Sequence, residues 1–435
     1  MEPLRLGARE LRAALDAAVD GGEVVAESLR RCEDLVASTN ALVATRPQAL
    51  DEVEGARGPL AGVPLILKDM FVDSDRIPTV GSKVTAHWMS GTAAVVNRLR
   101  AAGAIVVAYS NLHEWAIGTT SAVTALGPIA NPRHPEAIAG GSSGGSAVAL
   151  AVGAAPLAVG TDAGGSIRIP SACCGVVGLK PTLGAVPLEG FALPDGPPID
   201  HVGPMARSVD DVRILFEVMA ARSVDDVHLG GLRVGIPRDA FFGDLVADTG
   251  ERLEEVIETL RPHVAEMRDV ELPGCENASF AIGGLLLPYV AKVLEEELRE
   301  RPEDLGTETL NALQLGASLN EEDREGADQV RRAICDSFEG AFSEVDVLLT
   351  PTLPGPPAPA ATQMVEQPSG QSPADFVYTR FNGPMNLAGV PALSVPVADD
   401  LSLTITAARE REDRVFAVGA ALEDALDRAF VNRVT

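Results

Sequence analysis

Residues 140–182 read GGSSGGSAVALAVGAAPLAVGTDAGGSIRIPSACCGVVGLKPT. Two glycine–serine clusters, GGSSGGS and GGSIR, are separated by an apolar run that predicts a buried helix followed by a strand. A serine flanked by glycines lies beside backbone that can approach a substrate closely and whose N–H groups can bind a developing negative charge. The stretch therefore predicts an α/β core with two serine-bearing loops beside a candidate oxyanion site.

The sequence on either side continues this α/β pattern. Short apolar runs, VPLILK at 63–68 and AIVVAY at 104–109, alternate with helical patterns, which is typical of a buried sheet with helices packed against it. Periodic apolar positions predict a helical N-terminal layer over about 1–60 and a helical insertion over about 276–343. Residues 182–205 are rich in Gly and Pro and predict an ordered loop.

Composition excludes several classes of protein. The 435 residues are 46% hydrophobic and 22% charged, as in an ordinary globular protein rather than a disordered chain. A formal net charge of −27 repels nucleic acid and anionic lipid. The N-terminus has the pattern of an amphipathic helix, and the most apolar stretch, 147–159, is too short for a membrane span. Five cysteines without metal spacing predict reduced thiols and a cytoplasmic protein with no metal.

A glycine–serine cluster taken alone is more often a flexible loop or a phosphate cradle than a nucleophile site. Here neither cluster has the P-loop spacing G-x-x-x-x-G-K-[ST]. No acidic residue stands about 20 positions beyond a strand-bound G-x-G-x-x-G, as a dinucleotide site requires. Phosphate binding therefore lacks its usual support, and a nucleophilic serine becomes the better interpretation.

A nucleophilic serine needs a base, and Lys68 is the best candidate from the residues alone. The six histidines are scattered without a signature around them. Only four of the 35 basic Lys and Arg residues are lysines, so a lysine retained at the end of the apolar run VPLILK is unusual. Burial there would lower its pKa toward the neutral amine, which can accept a proton as Arg cannot. A surface lysine at a strand end is the alternative.

Five segments follow one another along the chain in a recognisable order: GVPLILKDMF, GAIVVAYSNLHEW, GGSSGGS, GTDAGGSIRIPSACCGVVGLKPT and DHVGPMARSVDD. In these segments the sequence resembles the amidase signature family of serine amidohydrolases. The resemblance covers residues 60–215 strongly and NLAGVPALSVPV at 386–397 more weakly. The fold it implies is α/β: a single α/β/α domain over residues 1–435, with a central mixed twisted sheet covered by helices.

The resemblance also implies roles for individual residues. Ser166 matches the nucleophile, Ser142 the bridging serine in a cis peptide with Gly141, and Lys68 the general base. The implied oxyanion hole consists of the N–H groups of Ala163, Gly164, Gly165 and Ser166, and the implied substrate contacts are Ala116 and Gly118. Asp162 and Arg168 match positions that we interpret as a buried structural pair.

The resemblance implies an amidase that hydrolyses a small carboxamide through an acyl-enzyme, without cofactor. Two alternatives stay open: the glutaminase subunit (A-type) of a tRNA-dependent amidotransferase, and a non-catalytic binding protein on the same fold. No nucleic-acid or membrane partner is expected, and a homodimer is left open. After Val397 the sequence departs from the family pattern. The resemblance implies that residues 397–413 border the substrate pocket, and their effect on substrate specificity is left open.

Overall fold

The computed structural model describes residues 2–74, 76–193 and 196–426. Within these residues the strands are β1 Leu42–Thr45, β2 Pro64–Lys68, β3 Ile105–Ser110, β4 Leu157–Asp162, β5 Val177–Lys180, β6 His201–Ala206, β7 Arg233–Ile236, β8 Glu266–Asp269, β9 Val347–Pro351, β10 Met364–Gln367, β11 Gly370–Pro373, β12 Ala392–Pro396 and β13 Ser402–Ala407. The helices are α1 Ala8–Ala17, α2 Gly21–Ser38, α3 Ala49–Glu52, α4 Ala94–Ala101, α5 Gly144–Ala151, α6 Arg168–Cys174, α7 Val209–Ala220, α8 Arg238–Phe241, α9 Thr249–Leu260, α10 Ala278–Val293, α11 Glu295–Glu300, α12 Thr307–Ser318, α13 Glu321–Glu344, α14 Ala374–Ala388 and α15 Glu412–Ala425.

A large mixed sheet forms the centre of the fold. Among the described residues it has eleven strands in the order β1-β3-β2-β4-β6-β5-β12-β13-β9-β7-β8. The pairs β3–β2, β2–β4, β9–β7 and β7–β8 are parallel, and the remaining neighbours are antiparallel. Helices flank this sheet, so the predicted α/β class with a mixed central sheet is confirmed.

The sheet core explains why the apolar runs of the sequence become strands. Every residue of β2, β3 and β4 is buried. Strands buried on both faces are continuous apolar runs rather than alternating ones, which is the pattern that VPLILK, AIVVAY and PLAVGT show. The helix that precedes β4, α5, is likewise buried along nearly its whole length.

Three local features differ from the sequence expectation. The N-terminal segment contains a strand, β1, which pairs antiparallel with β3 and lies at the edge of the sheet. The predicted loop 182–205 ends in another strand, β6, which fills the gap between β4 and β5. The glycine pair Gly21–Gly22 would by residue type alone mark the end of a helix, since glycine is common there. It instead begins α2, because the Asp20 side chain accepts a hydrogen bond from the N–H of Gly22 at 2.7 Å.

Residues 276–343 fold mainly as helices α10 to α13. Helix α10 packs against α12, α13 and α14, and α14 follows the Pro-rich connection after β9. The division of the chain as a single domain over 1–435 stays a prediction, and residues 427–435 lie outside the described part of the chain.

The sheet topology brings two of the predicted site segments together. Lys68 is the last residue of β2, and Asp162 is the last residue of β4. Because β2 and β4 are neighbouring parallel strands, their carboxyl ends lie at the same edge of the sheet. In open α/β sheets that edge is where ligands usually bind.

Candidate active site

Lys68 lies at the centre of a group of hydroxyls. Its side chain is fully buried, and Nζ is 2.8 Å from Ser142 Oγ, 2.9 Å from Ser143 Oγ and 2.8 Å from Thr161 Oγ1. No carboxylate among the described residues lies within ion-pair distance of this amine. The alternative of an exposed lysine at a strand end is therefore wrong.

The hydrogen positions around Lys68 can be deduced from the other partners of its hydroxyls. Ser143 Oγ donates to the carbonyl oxygen of Thr161 at 3.2 Å, and Thr161 Oγ1 donates to Met70 Sδ at 3.6 Å. Both hydroxyls therefore accept from the Lys68 amine. A neutral amine has two N–H donors and one lone pair. In the neutral form of the amine, with both donors used in this way, the lone pair would face the hydroxyl of Ser142, whereas the charged form donates to all three hydroxyls.

Burial sets the protonation state of this amine. Loss of solvent lowers the pKa of Lys68 to about 7, against a smaller opposing effect from the carboxylates of Asp162 and Asp200. Burial also raises the pKa of Asp200 to about 7. At neutral pH a substantial fraction of Lys68 is therefore uncharged and able to accept a proton.

Ser166 lies in the turn between β4 and α6 and is the serine that a substrate can reach. It retains 8% of its accessible surface, whereas Ser142 and Lys68 retain none. Gly165 precedes it with φ +125°, and a Cβ there would be 2.5 Å from Ile169 Cδ1 and 2.7 Å from Asn382 Cβ. Only glycine fits this conformation and this close approach, so the turn depends on it.

The backbone of this turn presents N–H groups to the space around Ser166. The N–H groups of Ala163, Gly164 and Ser166 have no acceptor among the described residues. The Gly165 N–H, by contrast, donates to Asp162 Oδ1 at 2.7 Å. Gly165 was expected to contribute to the oxyanion hole, and this hydrogen bond reduces the set of free donors to the other three.

A buried ionic network holds the turn between β4 and α6 in place. Arg168 binds the Asp162 carboxylate through two nitrogens, at 3.1 and 3.0 Å, and Asn386 donates to it at 2.8 Å. Burial alone would raise the pKa of Asp162, but Arg168 and Asn386 hold it well below its usual range. Asp162 also accepts from the N–H of Ile167 at 3.1 Å. These contacts agree with our interpretation of Asp162 and Arg168 as a structural pair.

The two serine-bearing loops are in direct contact. The Ser143 N–H donates to the carbonyl oxygen of Ser166 at 3.1 Å. The Gly141–Ser142 peptide is cis, as the resemblance implied, and the carbonyl oxygen of Ser142 accepts from the N–H of His113 at 3.1 Å. The segment that starts at His113 thus supports the GGSSGGS loop and continues into the wall of a cavity.

The cavity has a volume of about 330 Å³ and opens over Ser166. Ala116 and Gly118, the two expected substrate contacts, both line it. No described residue of 397–413 does, which corrects the expectation that this segment borders the pocket. The reason is that β13 pairs with β12 on one side and β9 on the other, so its side chains are buried inside the fold.

Sequence reasoning did not single out four residues of the site. Ser143 and Thr161 complete the hydroxyl set around Lys68, and both lie inside the quoted motifs. The sequence did offer one indication of their role: both carry a hydroxyl, and both lie in the same motifs as Ser142 and Ser166. Glu308 and Asp375 line the cavity from α12 and α14, and no motif marks either of them.

The described residues contain no cluster of His, Cys, Asp and Glu arranged to hold a metal ion. A search of the same residues for a helix long and apolar enough to cross a bilayer finds none.

Comparison with known proteins gives the family. The model of the amidase family matches residues 23–416. The A-type subunit of the glutamyl-tRNA(Gln) amidotransferase of Halorhodospira halophila is 34% identical over 438 residues, with 89% of each chain covered. The corresponding protein of Symbiobacterium thermophilum is 36% identical, and the match covers 78% of this chain and 77% of that protein. A crystal structure described as an amidase is 34% identical, has a TM-score of 0.90, and covers 96% of this chain and 99% of its own.

The fold and these matches define the protein as an enzyme, a hydrolase that acts on carbon–nitrogen bonds of amides. The chain belongs to the amidase signature family. Because both of these relatives by sequence are A-type subunits of amidotransferases, the comparisons favour the alternative of a glutaminase subunit over a stand-alone amidase.

Proposed function

We propose that the protein hydrolyses a carboxamide through an acyl-enzyme on Ser166, with Ser142 as the bridging hydroxyl and Lys68 as the general base. The observation that carries this proposal is the fully buried Lys68 amine, whose partners are three hydroxyls. An amine held in this way gains little from being charged and can take a proton from Ser142.

In this mechanism Lys68 Nζ accepts the proton of Ser142, and Ser142 Oγ accepts the proton of Ser166. Ser166 Oγ then attacks the amide carbon, and the carbonyl oxygen becomes an oxyanion that the N–H groups of Ala163, Gly164 and Ser166 can bind. Collapse of this intermediate breaks the C–N bond, and the proton returns through Ser142 to the leaving nitrogen. Water repeats the sequence on the ester and releases the carboxylate.

The relatives support a second candidate, a glutaminase subunit that delivers ammonia within an amidotransferase. An amidase that acts alone releases ammonia from carboxamides without any other protein, whereas a subunit that depends on its complex does not. The discriminating experiment measures ammonia release by the purified chain from aliphatic, aryl, fatty and urea-type amides and from L-glutamine.

We expect the isolated chain to hydrolyse at least one simple carboxamide, because the hydroxyl set around Lys68 is complete within the chain. The Ser166→Ala variant, purified in the same way, serves as the control for contaminating amidases. If the isolated chain were inactive on every amide and hydrolysed glutamine only after the other proteins of an amidotransferase complex were added, the second candidate would be correct.

The pH dependence of the rate tests the role of Lys68. Since the neutral amine is the active form and its pKa is about 7, kcat/KM should rise with pH below about 7 and level off above it. The measurement is a pH–rate profile with an uncharged amide, so that the substrate does not titrate. A rate that is constant between pH 5 and pH 9 would contradict this assignment.

A further inference from the structure

The walls of the cavity beyond Ser166 are largely apolar. They are formed by Ile282, Leu286 and Leu287 of α10 and by Phe376 of α14. Phe376 is 55% exposed, and its carbonyl oxygen accepts a hydrogen bond from Ser279 Oγ at 2.7 Å, which joins α14 to α10 beside the opening. A substrate that fills this space must therefore present an apolar body behind its reacting carbonyl.

Two carboxylates interrupt this apolar lining. Asp375 lies in the first turn of α14, and Thr119 orients it by donating its N–H and its hydroxyl to Oδ1. Glu308 lies in the first turn of α12, and its carboxylate has no hydrogen bond or ion pair to any described residue. The Glu308 side chain is exposed at the rim of the cavity, and its partial burial together with the neighbouring charge of Asp375 raises its pKa. Both carboxylates line the same cavity, and the charge of Asp375 disfavours the ionised form of Glu308.

No basic side chain compensates these charges inside the cavity. Within the described part of the chain, the residues that line it include Glu308 and Asp375 but no Lys, Arg or His. A ligand carboxylate placed here would meet like charges without a partner, whereas a ligand ammonium would relieve the repulsion between the two carboxylates. The charge of the lining therefore favours a cationic ligand over an anionic one.

We propose that the natural substrate is an amide with an apolar body that carries a protonated amine away from the scissile bond, and that Glu308 and Asp375 bind this amine. The proposal rests on the proposed function of Ser166 and adds the class of substrate to it. It excludes amides whose distal group is a lone carboxylate. It also sets the chain apart from an enzyme built for free glutamine, whose α-carboxylate finds no cationic partner among the described lining residues.

Three amides of equal carbon-chain length provide the probes: pentanamide, 5-aminopentanamide and glutaramic acid. All three have five carbon atoms, and their distal ends are neutral, positive and negative respectively; 5-aminopentanamide is longer than pentanamide by its amine nitrogen. Binding is measured by calorimetry on the full-length Ser166→Ala variant, so that the result does not depend on turnover. We expect 5-aminopentanamide to bind about tenfold more tightly than pentanamide, and glutaramic acid about tenfold more weakly than pentanamide.

Substitutions at Glu308 test the source of this preference. In the Ser166→Ala background, Glu308→Gln should lower the preference for 5-aminopentanamide about threefold, and Glu308→Lys should make glutaramic acid the better ligand of the charged pair. Glu325→Gln is the matched control, because Glu325 is an exposed carboxylate on α13 that does not line the cavity. Glu325→Gln should leave the order of affinities for the three amides unchanged.

The outcomes separate the two proposals. If the wild-type chain hydrolyses none of the amides but the binding order holds, the proposed reaction is wrong and the charge selection stands. If the chain hydrolyses amides through Ser166 while the three probes bind equally, or glutaramic acid binds best, the proposed substrate class is wrong. If Glu308→Gln and Glu308→Lys leave the order of the three affinities unchanged, Glu308 does not bind the amine.

Discussion

Ser166→Ala is expected to lower kcat/KM by about 10⁴-fold or more and to abolish acyl-enzyme formation, because it removes the only atom proposed to bond to the substrate carbon. The fold should be retained. The substitution deletes one hydroxyl from a turn whose backbone is held by the hydrogen bonds of Gly165 and Ile167 to Asp162. Mass spectrometry of the protein after rapid quenching with substrate detects the covalent adduct directly.

Ser279→Ala is the matched control for this experiment. Ser279 lines the same cavity, but its hydroxyl donates to the carbonyl oxygen of Phe376, and no basic side chain is among the described residues that line the cavity with it. The Ser279→Ala protein should still form the adduct. If the adduct persists in Ser166→Ala and is lost in Ser279→Ala, then Ser279 rather than Ser166 is the nucleophile, and the assignment is wrong.

The second large effect is expected at Lys68. Lys68→Ala removes the proposed base and should lower kcat by about 10²–10⁴-fold. Lys68→Arg should be nearly as damaging, because a guanidinium keeps its proton and cannot accept the proton of Ser142. Both variants are compared on one neutral amide, with circular dichroism and thermal unfolding to confirm that they are folded.

Arg is larger than Lys, and the site is fully buried, so Lys68→Arg could lose activity because the side chain does not fit. A third variant distinguishes this steric effect from loss of the proton acceptor. Lys68→Met has about the length of lysine and carries neither charge nor lone pair on nitrogen. If Lys68 acts as the base, all three variants lose activity together, and residual rates no longer follow the pH dependence near 7. Substantial activity in Lys68→Arg alone would show that the site needs only a cation.

Lys68 illustrates both the strength and the limit of composition as a guide to a catalytic base. A lysine at the end of a buried strand, in a chain that otherwise uses arginine, indicated an unusual amine. Lys180 meets the same criterion. It is fully buried, and burial lowers its pKa well below the usual value. Its Nζ, however, donates to the carbonyl oxygens of Pro181 and Val390. Only the partners, most of which come from distant segments, distinguish the candidate base from a structural amine.

The strands that the sequence did not reveal were missed for a physical reason. Strand β6 contains Gly203 and Pro204, which local propensity disfavours in a sheet. It forms because β4 and β5 need a partner between them, and that pairing buries every residue of the strand. Burial and ladder hydrogen bonds here outweigh propensity, and neither can be read from a window of a few residues.

The cavity was less predictable than the proposed catalytic residues. The matched motifs place Lys68, Ser142 and Ser166 within about one hundred residues, so their positions follow from short, recognisable segments. Glu308 and Asp375, in contrast, belong to helices far along the chain and meet only in the folded protein. Their charge could be read from the sequence, but their common placement around the cavity over Ser166 could not.

The sheet and the helices therefore supply different parts of the site. Lys68 lies at the end of a central strand and Ser166 in the turn that follows another, whereas most of the cavity wall comes from α10, α12 and α14. Mutations in those helices can therefore alter the cavity without disturbing the residues proposed to break the bond. The same division suits protein engineering, because the outer helices can be redesigned for a new amide while the central strands are left as they are.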